Sequence, residues 1–249
     1  MKTQKILAAL LCLTLVAPIT SCKKDKKDKD ADEPTDPKVE TSGKENNHMW
    51  VDLGTSVRWA VNNVGATTSY EAGMYVAWGE TTQRETNTYK YTTYALYDND
   101  NSVYLKYFDG DGKTLLDQAD DVAKKEMGGT WRIPTKAQWQ ELCDKCTWKL
   151  TQVNDVWGFK VTGTTKEYIF LPIVGYLNGN TGLQYNGKQV RYWTNQLYTE
   201  ETDNYQKAWT FNLYRATDGD GNTVEADSKH EVKQDQRYYG GSVRAVCSK

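Results

Sequence analysis

Apolar residues along this chain fall into three regimes. From Ile6 to Ile19 they run almost without interruption, and from residue 23 to about 47 they nearly vanish. From His48 onward they recur in short blocks spaced by Gly, Asn and Asp. The first run is too short to span a bilayer comfortably and follows a basic start at Lys2 and Lys5. That is the pattern of a signal-peptide core rather than of a transmembrane helix. In the second regime, KKDKKDKDADEPTDPKVETSGKENN, only Val39 is strongly apolar. With so little to bury, nothing offsets the entropy of ordering, and a disordered tether is expected. A coil of that length holds the rest of the chain roughly 25–30 Å from its anchor. Both signs of charge interleave along it, which marks a solvated spacer rather than a surface for lipid headgroups or nucleic acid.

The third regime reads as short strands and two helices. WVDLG (50–54), SVRWAVNNVG (56–65) and GMYVAWGE (73–80) are β-rich and bounded by Gly or Asn. The stretch 81–113 is polar, Tyr-rich and loop-like. A first helix is predicted from about Gln118 to Met127, with Asp117 as N-cap and Gly128-Gly129 as the stop. A second starts after Pro134, where Thr135 and Gln138 have the spacing of a capping box. Its Trp139, Leu142, Cys143 and Cys146 fall at i, i+3, i+4 and i+7, one buried stripe. Strands resume with VWGFKVTG, EYIFLPIVGY, VRYWTN, KAWTFNLY and GSVRAVC. Without a repeat or a βαβ alternation, the expected class is α+β.

Composition sharpens this picture. The chain carries nine Trp and seventeen Tyr but only four Phe and five Pro, so large amphipathic rings must supply much of the packing. A net charge of −2 gives no sign of nucleic-acid binding. Ile19-Thr20-Ser21-Cys22 resembles a bacterial lipobox, in which the cysteine is acylated and becomes the new N-terminus. Several acyl chains on Cys22 anchor stably, at about 0.8 kcal/mol per buried CH₂. The chain thus divides into a signal peptide (1–21), a lipidated cysteine with its tether (22–47) and one domain (48–249). Loss of Cys12 with the signal and acylation of Cys22 leave Cys143, Cys146 and Cys247, enough for at most one internal disulfide.

Candidate chemistry is sparse. Cys143-x-x-Cys146 sits near a helix C-terminus, where no dipole stabilises a thiolate, and lacks the further ligands of a zinc site. His48 lies at the tether junction and His230 in a charged loop, so neither is set up as a base. Asp109-Gly110-Asp111-Gly112 and Asp218-Gly219-Asp220-Gly221 offer oxygens to calcium, but without the full twelve-residue loop they read as turns. The ligand-binding candidates are Tyr192, Asn195, Tyr198, Tyr205, Tyr214 and Arg215, rings with amide and cationic groups in one stretch. Trp193, Trp209 and Phe211 are expected in the core, with Trp209, Phe211 and Leu213 on one face of a strand.

The ordered blocks WAVNNVGA, YVAWGET, GGTWRIPT with its capped helix, GFKVTG, IFLPIVGY, YWTN and GGSVRAV resemble the Fibrobacter succinogenes major paralogous domain. That family is found in Bacteroides-type lipoproteins and is related to C-type-lectin-like and formylglycine-generating-enzyme-like folds. The resemblance runs from about Val51 to Val246; Ile173 and Ala245 stand where the family usually has Ala and Pro. It implies a C-type-lectin-like fold, with a twisted antiparallel sheet, two flanking helices and long loops. A helix-to-last-strand disulfide in such folds implies Cys146–Cys247, with Cys143 as the other candidate for the bridge. The acidic-basic run after Cys22 is similar to surface-export signals, implying an outer-membrane lipoprotein exposed at the cell surface. The Gly240-Gly241-Ser242 echo lacks the paired cysteines of formylglycine-generating enzymes. The expectation is a non-enzymatic binding or adhesion module for glycans or surface proteins, with no catalytic residue, metal or nucleic-acid partner. A structural subunit of a surface assembly is the runner-up, and an enzyme of that superfamily comes third.

Overall fold

The computed structural model describes residues 41–201 and 205–249. The signal segment, Cys22 and the tether up to residue 40 lie outside the described residues. Strands dominate. β1 (Ser42–Glu45), β2 (His48–Asp52) and β3 (Arg58–Ala60) come first, and a long loop region carries the small β4 (Tyr97–Asp98) and β5 (Val103–Tyr104). The helices α1 (Val122–Met127) and α2 (Lys136–Lys145) follow. Then come β6 (Thr147–Val153), β7 (Val156–Thr162), β8 (Tyr168–Pro172), β9 (Val174–Asn178) and β10 (Gly182–Asn186). β11 (Gln189–Leu197), β12 (Lys207–Tyr214), β13 (Lys229–Gln236) and β14 (Val246–Cys247) complete the order. The fold is a sheet-rich α+β arrangement of four sheets: β1-β2-β3-β14, β6-β7-β8, β10-β9-β11-β12-β13 and the β4-β5 hairpin. All strand pairs are antiparallel except β9 with β11, which meet in parallel at Val190 and Gly175.

Two tight hairpins explain where the sequence reading fell short. Residues 42–47, assigned to the tether, form the β1–β2 hairpin, so the domain begins before His48. Its turn residues Asn46 (φ 46) and Asn47 (φ 67) are both left-handed, the geometry of a type I′ turn that suits the strand twist. Asn154 (φ 48) and Asp155 (φ 63) do the same between β6 and β7, and β6 itself was not anticipated. The stretch 73–80 is not a strand. Gly73 and Gly79 bracket it in left-handed conformations, and its only ladder contact is the bridge from Val76 to Gly241.

α2 forms as its caps dictate. Thr135 accepts a hydrogen bond from the Gln138 N–H at 3.1 Å, and the Gln138 side chain accepts from the Thr135 N–H at 3.0 Å. Trp139 then stacks flat on Phe211 of β12, with centroids 4.3 Å apart and planes 9° apart. The first helix is shorter than expected and its cap is Asp121, not Asp117. Asp121 accepts the N–H groups of Ala123 and Lys124, while Asp117 only precedes a single 3₁₀ turn at Gln118–Asp120. His230 is likewise not in a loop. It lies in β13, stacked on Trp148 at 4.0 Å, and burial there pulls its pKa down.

The β11–β12 pair is covered on both faces. Tyr192, Phe211 and Leu213 join Trp59 and Trp139 in one core cluster, whereas Trp193, Leu197 and Ala208 join Trp50, Trp78 and Trp131 in another. The segment Gly240–Ser242 slots between β9 and β11, bridging Leu177 and Tyr192. Glycine is required for that fit. A Cβ on Gly240 would lie 2.8 Å from the Cβ of Leu177, and one on Gly241 would lie 2.8 Å from the indole nitrogen of Trp193. The Gly-Gly-Ser echo therefore has a packing role here.

Candidate ligand-binding site

The six expected ligand residues do not converge. Tyr192 is fully buried and its hydroxyl donates to the Pro172 carbonyl at 3.0 Å, so it is core and not a ligand contact. Strand alternation turns it inward beside Val190, a direction that a linear reading of a Tyr-rich segment does not reveal. Tyr198 is also buried, packed edge-on against the half-buried Trp209 at 4.9 Å. Lys136 places its ammonium 3.2 Å from the centre of that Trp209 ring. Asn195 is half-buried and ties the loops through its backbone, donating to Pro134 and accepting from Leu116. Tyr205 is half-buried, and its carbonyl accepts from Arg237. Tyr214 and Arg215 stand at the opposite end of β12, roughly 20 Å along the strand from the residues paired with Leu197. Arg215 is engaged there with the Gly187 carbonyl and Thr223.

Rings converge elsewhere. The loop region 89–104 and the chain leaving β13 enclose a cavity of about 360 Å³ lined by Tyr91, Tyr97, Ser102, Tyr104, Gln206, Gln236 and Tyr238. A second cavity of about 360 Å³ shares Tyr91 and Tyr238 as its wall. Asn178, Asn180, Lys90 and Tyr239 join it from the other side. Tyr91 is 53% exposed and meets Tyr97 edge-on at 5.8 Å and Tyr238 at 6.3 Å. The side-chain amides of Gln206 and Gln236 line the first cavity. Burial pushes the Tyr104 phenol up to about 12 and raises those of Tyr238 and Tyr239. These three hydroxyls are therefore neutral donors and acceptors at physiological pH.

A buried guanidinium holds this cleft from beneath. Arg237 follows β13 directly and is fully buried. Its nitrogens donate to the Tyr94 hydroxyl (3.1 Å) and to the carbonyls of Tyr107 (3.1 Å), Tyr205 (2.7 Å) and Lys106 (2.9 Å). Its carbon lies 4.5 Å from the Tyr104 ring centre and 4.9 Å from that of Trp78. Three separate loops are thereby fixed to one planar fork. Aromatic walls lined with side-chain amides form a surface that stacks on apolar ring faces and exchanges hydrogen bonds with hydroxyls. The sequence signal for this site is the Tyr-rich composition of 81–113, which marks a loop but not where its rings meet.

The cysteines and acidic loops do other work. Cys143, Cys146 and Cys247 are free thiols, and the Cys146–Cys247 bridge is not formed. Cys146 packs beside Trp139 in one core cluster, while Cys247 packs in the other. Burial raises Cys143 to about 12 and both Cys146 and Cys247 to about 11. At pH 8 a thiol-specific reagent is expected to label the folded domain slowly and the denatured domain at all three positions. A disulfide-linked peptide pair in the non-reduced protein would contradict this. In the first acidic loop the Asp111 carboxylate accepts the N–H groups of Tyr107, Phe108 and Lys113. Asp218 accepts those of Asp220 and Asn222. Among the described residues no group of three or more His, Cys, Asp or Glu side chains could hold a metal ion.

No family model, curated protein or solved structure matches this chain.

Proposed function

We propose that this chain is a lipid-anchored cell-surface module that binds a glycan in the tyrosine cleft, without catalysing a reaction. The observation that carries the reading is the cleft itself, whose walls are phenol rings and whose lining includes the primary amides of Gln206, Gln236, Asn178 and Asn180. Sugar rings present an apolar face for stacking and hydroxyls that both donate and accept, and a side-chain amide answers both. Placement outside the outer membrane rests on the lipobox-like Cys22 and its charged tether. A C-type-lectin-like arrangement belongs to the same proposal, supported by the family-like blocks around GGTWRIPT and by the sheet-rich fold. Binding by stacking and hydrogen bonds needs no calcium, and among the described residues no carboxylate lines the cleft.

A glycan-array screen of residues 41–249, run with calcium and with chelator, tests this. Selective, chelator-insensitive binding is expected, with the Tyr91→Ala/Tyr238→Ala double variant losing about tenfold or more in affinity, the scale of two aromatic contacts. A blank array from folded protein would move the reading to protein partners.

A further inference from the structure

The cleft is one section of a longer aromatic strip. Ring centroids step from Tyr104 to Tyr97 (5.1 Å), to Tyr91 (5.8 Å) and to Tyr238 (6.3 Å). The steps continue to Tyr239 (4.9 Å), Tyr176 (5.7 Å) and Tyr185 (5.8 Å). The series begins in the β4–β5 hairpin, crosses the residues after β13 and ends on β10 at the edge of the five-stranded sheet. The two cavities lie on either side of the Tyr91–Tyr238 wall, so neither is a terminus of the other. Tyr185, the far end, is 55% exposed and lies flat on Tyr176, with planes 14° apart; Tyr176 itself is buried at 6% exposure and supports Tyr185 from beneath, so the ligand-facing ring at this end is Tyr185.

We infer that the strip is the track of an extended, uncharged polysaccharide, occupied along its length rather than capped at a terminal sugar. The inference rests on the glycan reading of the cleft and adds the ligand's class and register. A site for one terminal residue needs a single closed pocket with several convergent polar groups. Here the lining repeats instead: rings recur every 4.9 to 6.3 Å, with Gln206 and Gln236 in one cavity and Asn178 and Asn180 in the next. Such spacing suits a chain that presents one ring face after another. Neutrality follows from the charges nearby. Among the described residues Lys90 is the sole charged side chain lining the two cavities. Arg191 beside the strip is already paired with Asp235 at 2.7 Å and lies over the Tyr176 ring at 3.4 Å. No cluster of cations is present there to repay the desolvation of an anionic polymer.

A proline-rich peptide is the competing occupant of any tyrosine-walled groove, because its preformed helix docks on aromatic surfaces. Its prolines carry no N–H, so it would offer no donor to the amide oxygens of Gln206, Gln236 and Asn180, whereas the Asn178 oxygen already accepts the Asn180 N–H at 3.4 Å. A glycan hydroxyl supplies both halves of each bond.

The test is calorimetric titration of the full chain in detergent micelles with oligosaccharides of two to eight units from the cellulose, mannan and xylan series. Affinity for at least one series is expected to rise about tenfold or more between two and six units, the scale that one or two further stacking contacts supply. In that series Tyr185→Ala is expected to stop the rise at a shorter chain. A disaccharide bound as tightly as the hexamer would overturn the track while leaving glycan binding intact. No binding to any series, or binding of a proline-rich decapeptide in their place, would overturn both.

Discussion

Replacing Arg244 by Met is expected to destabilise the domain by about 3–5 kcal/mol, the cost of stranding partners of a buried charged group. Arg244 is fully buried, and among the described residues no carboxylate pairs with it. Its Nε donates to the Asn63 side chain at 2.9 Å, and its two terminal nitrogens donate to the carbonyls of Ala60 (3.0 Å), Val61 and Phe170 (2.9 Å). The guanidinium thus joins the sheet containing β3 to β8 of the three-stranded sheet. Burial pushes its pKa down to about 10, with the Tyr192 phenol opposing, so the group remains a cation at neutral pH. Met fills similar space but leaves four acceptors without donors in a site that water does not reach. Arg244→Lys is expected to recover only part of the loss, since one ammonium cannot match a planar fork. Urea and thermal unfolding measure the effect; a Tm drop on the order of 10 °C fits a domain of this size. A loss under about 1 kcal/mol would show that the network contributes no more than an ordinary surface pair.

Arg237→Met is expected to cost a similar amount, about 3–5 kcal/mol, and to weaken ligand binding as well. Arg237 joins Tyr94, Lys106, Tyr107 and Tyr205, and so fixes the loop that carries Tyr104 against the wall of the cleft. Burial raises the Tyr94 phenol, which stays a neutral partner for the cation. Binding measured well below the variant's Tm separates the two effects. Loss of about tenfold in affinity with native circular dichroism would identify Arg237 as a positioning residue. Unchanged binding in a folded Arg237→Met protein would show that the cleft keeps its shape without it.

The two arginines show what a sequence exposes and what it hides. Elements whose cause is local were legible. The Thr135–Gln138 box, the Trp139–Leu142 stripe and the apolar strands β7, β11 and β12 form where their residues predict, while the single run EYIFLPIVGY divides at Ile173 into β8 and β9, which join different sheets. β13 was missed because KHEVKQDQ alternates charged residues with His230 and Val232, and its register with β12 is what makes it a strand. β1 was missed because its turn is Asn-Asn at the end of a charged run, where composition pointed to disorder. The cleft was illegible for a different reason. Its rings come from residues 91–104 and 238–239, more than a hundred positions apart, and they are brought together by the long-range bonds of Arg237 and by the small cluster of Ala77, Tyr89, Tyr94 and Leu177. The stretch 192–215 has its rings contiguous in sequence, yet a sheet covered on both faces buries Tyr192, Trp193, Tyr198 and Phe211 among them.

The measurement closest to the central claim compares two tyrosines of equal exposure. Tyr91 (53% exposed) stands in the cleft, and Tyr168 (52% exposed) lies on β8 under Lys160, outside both cavities. Each is changed to Ala, and affinity for the tightest-binding glycan is titrated against the unaltered protein. Loss of binding in Tyr91→Ala with none in Tyr168→Ala is the predicted result. Equal affinity in all three proteins would contradict the assignment of the cleft as the binding site.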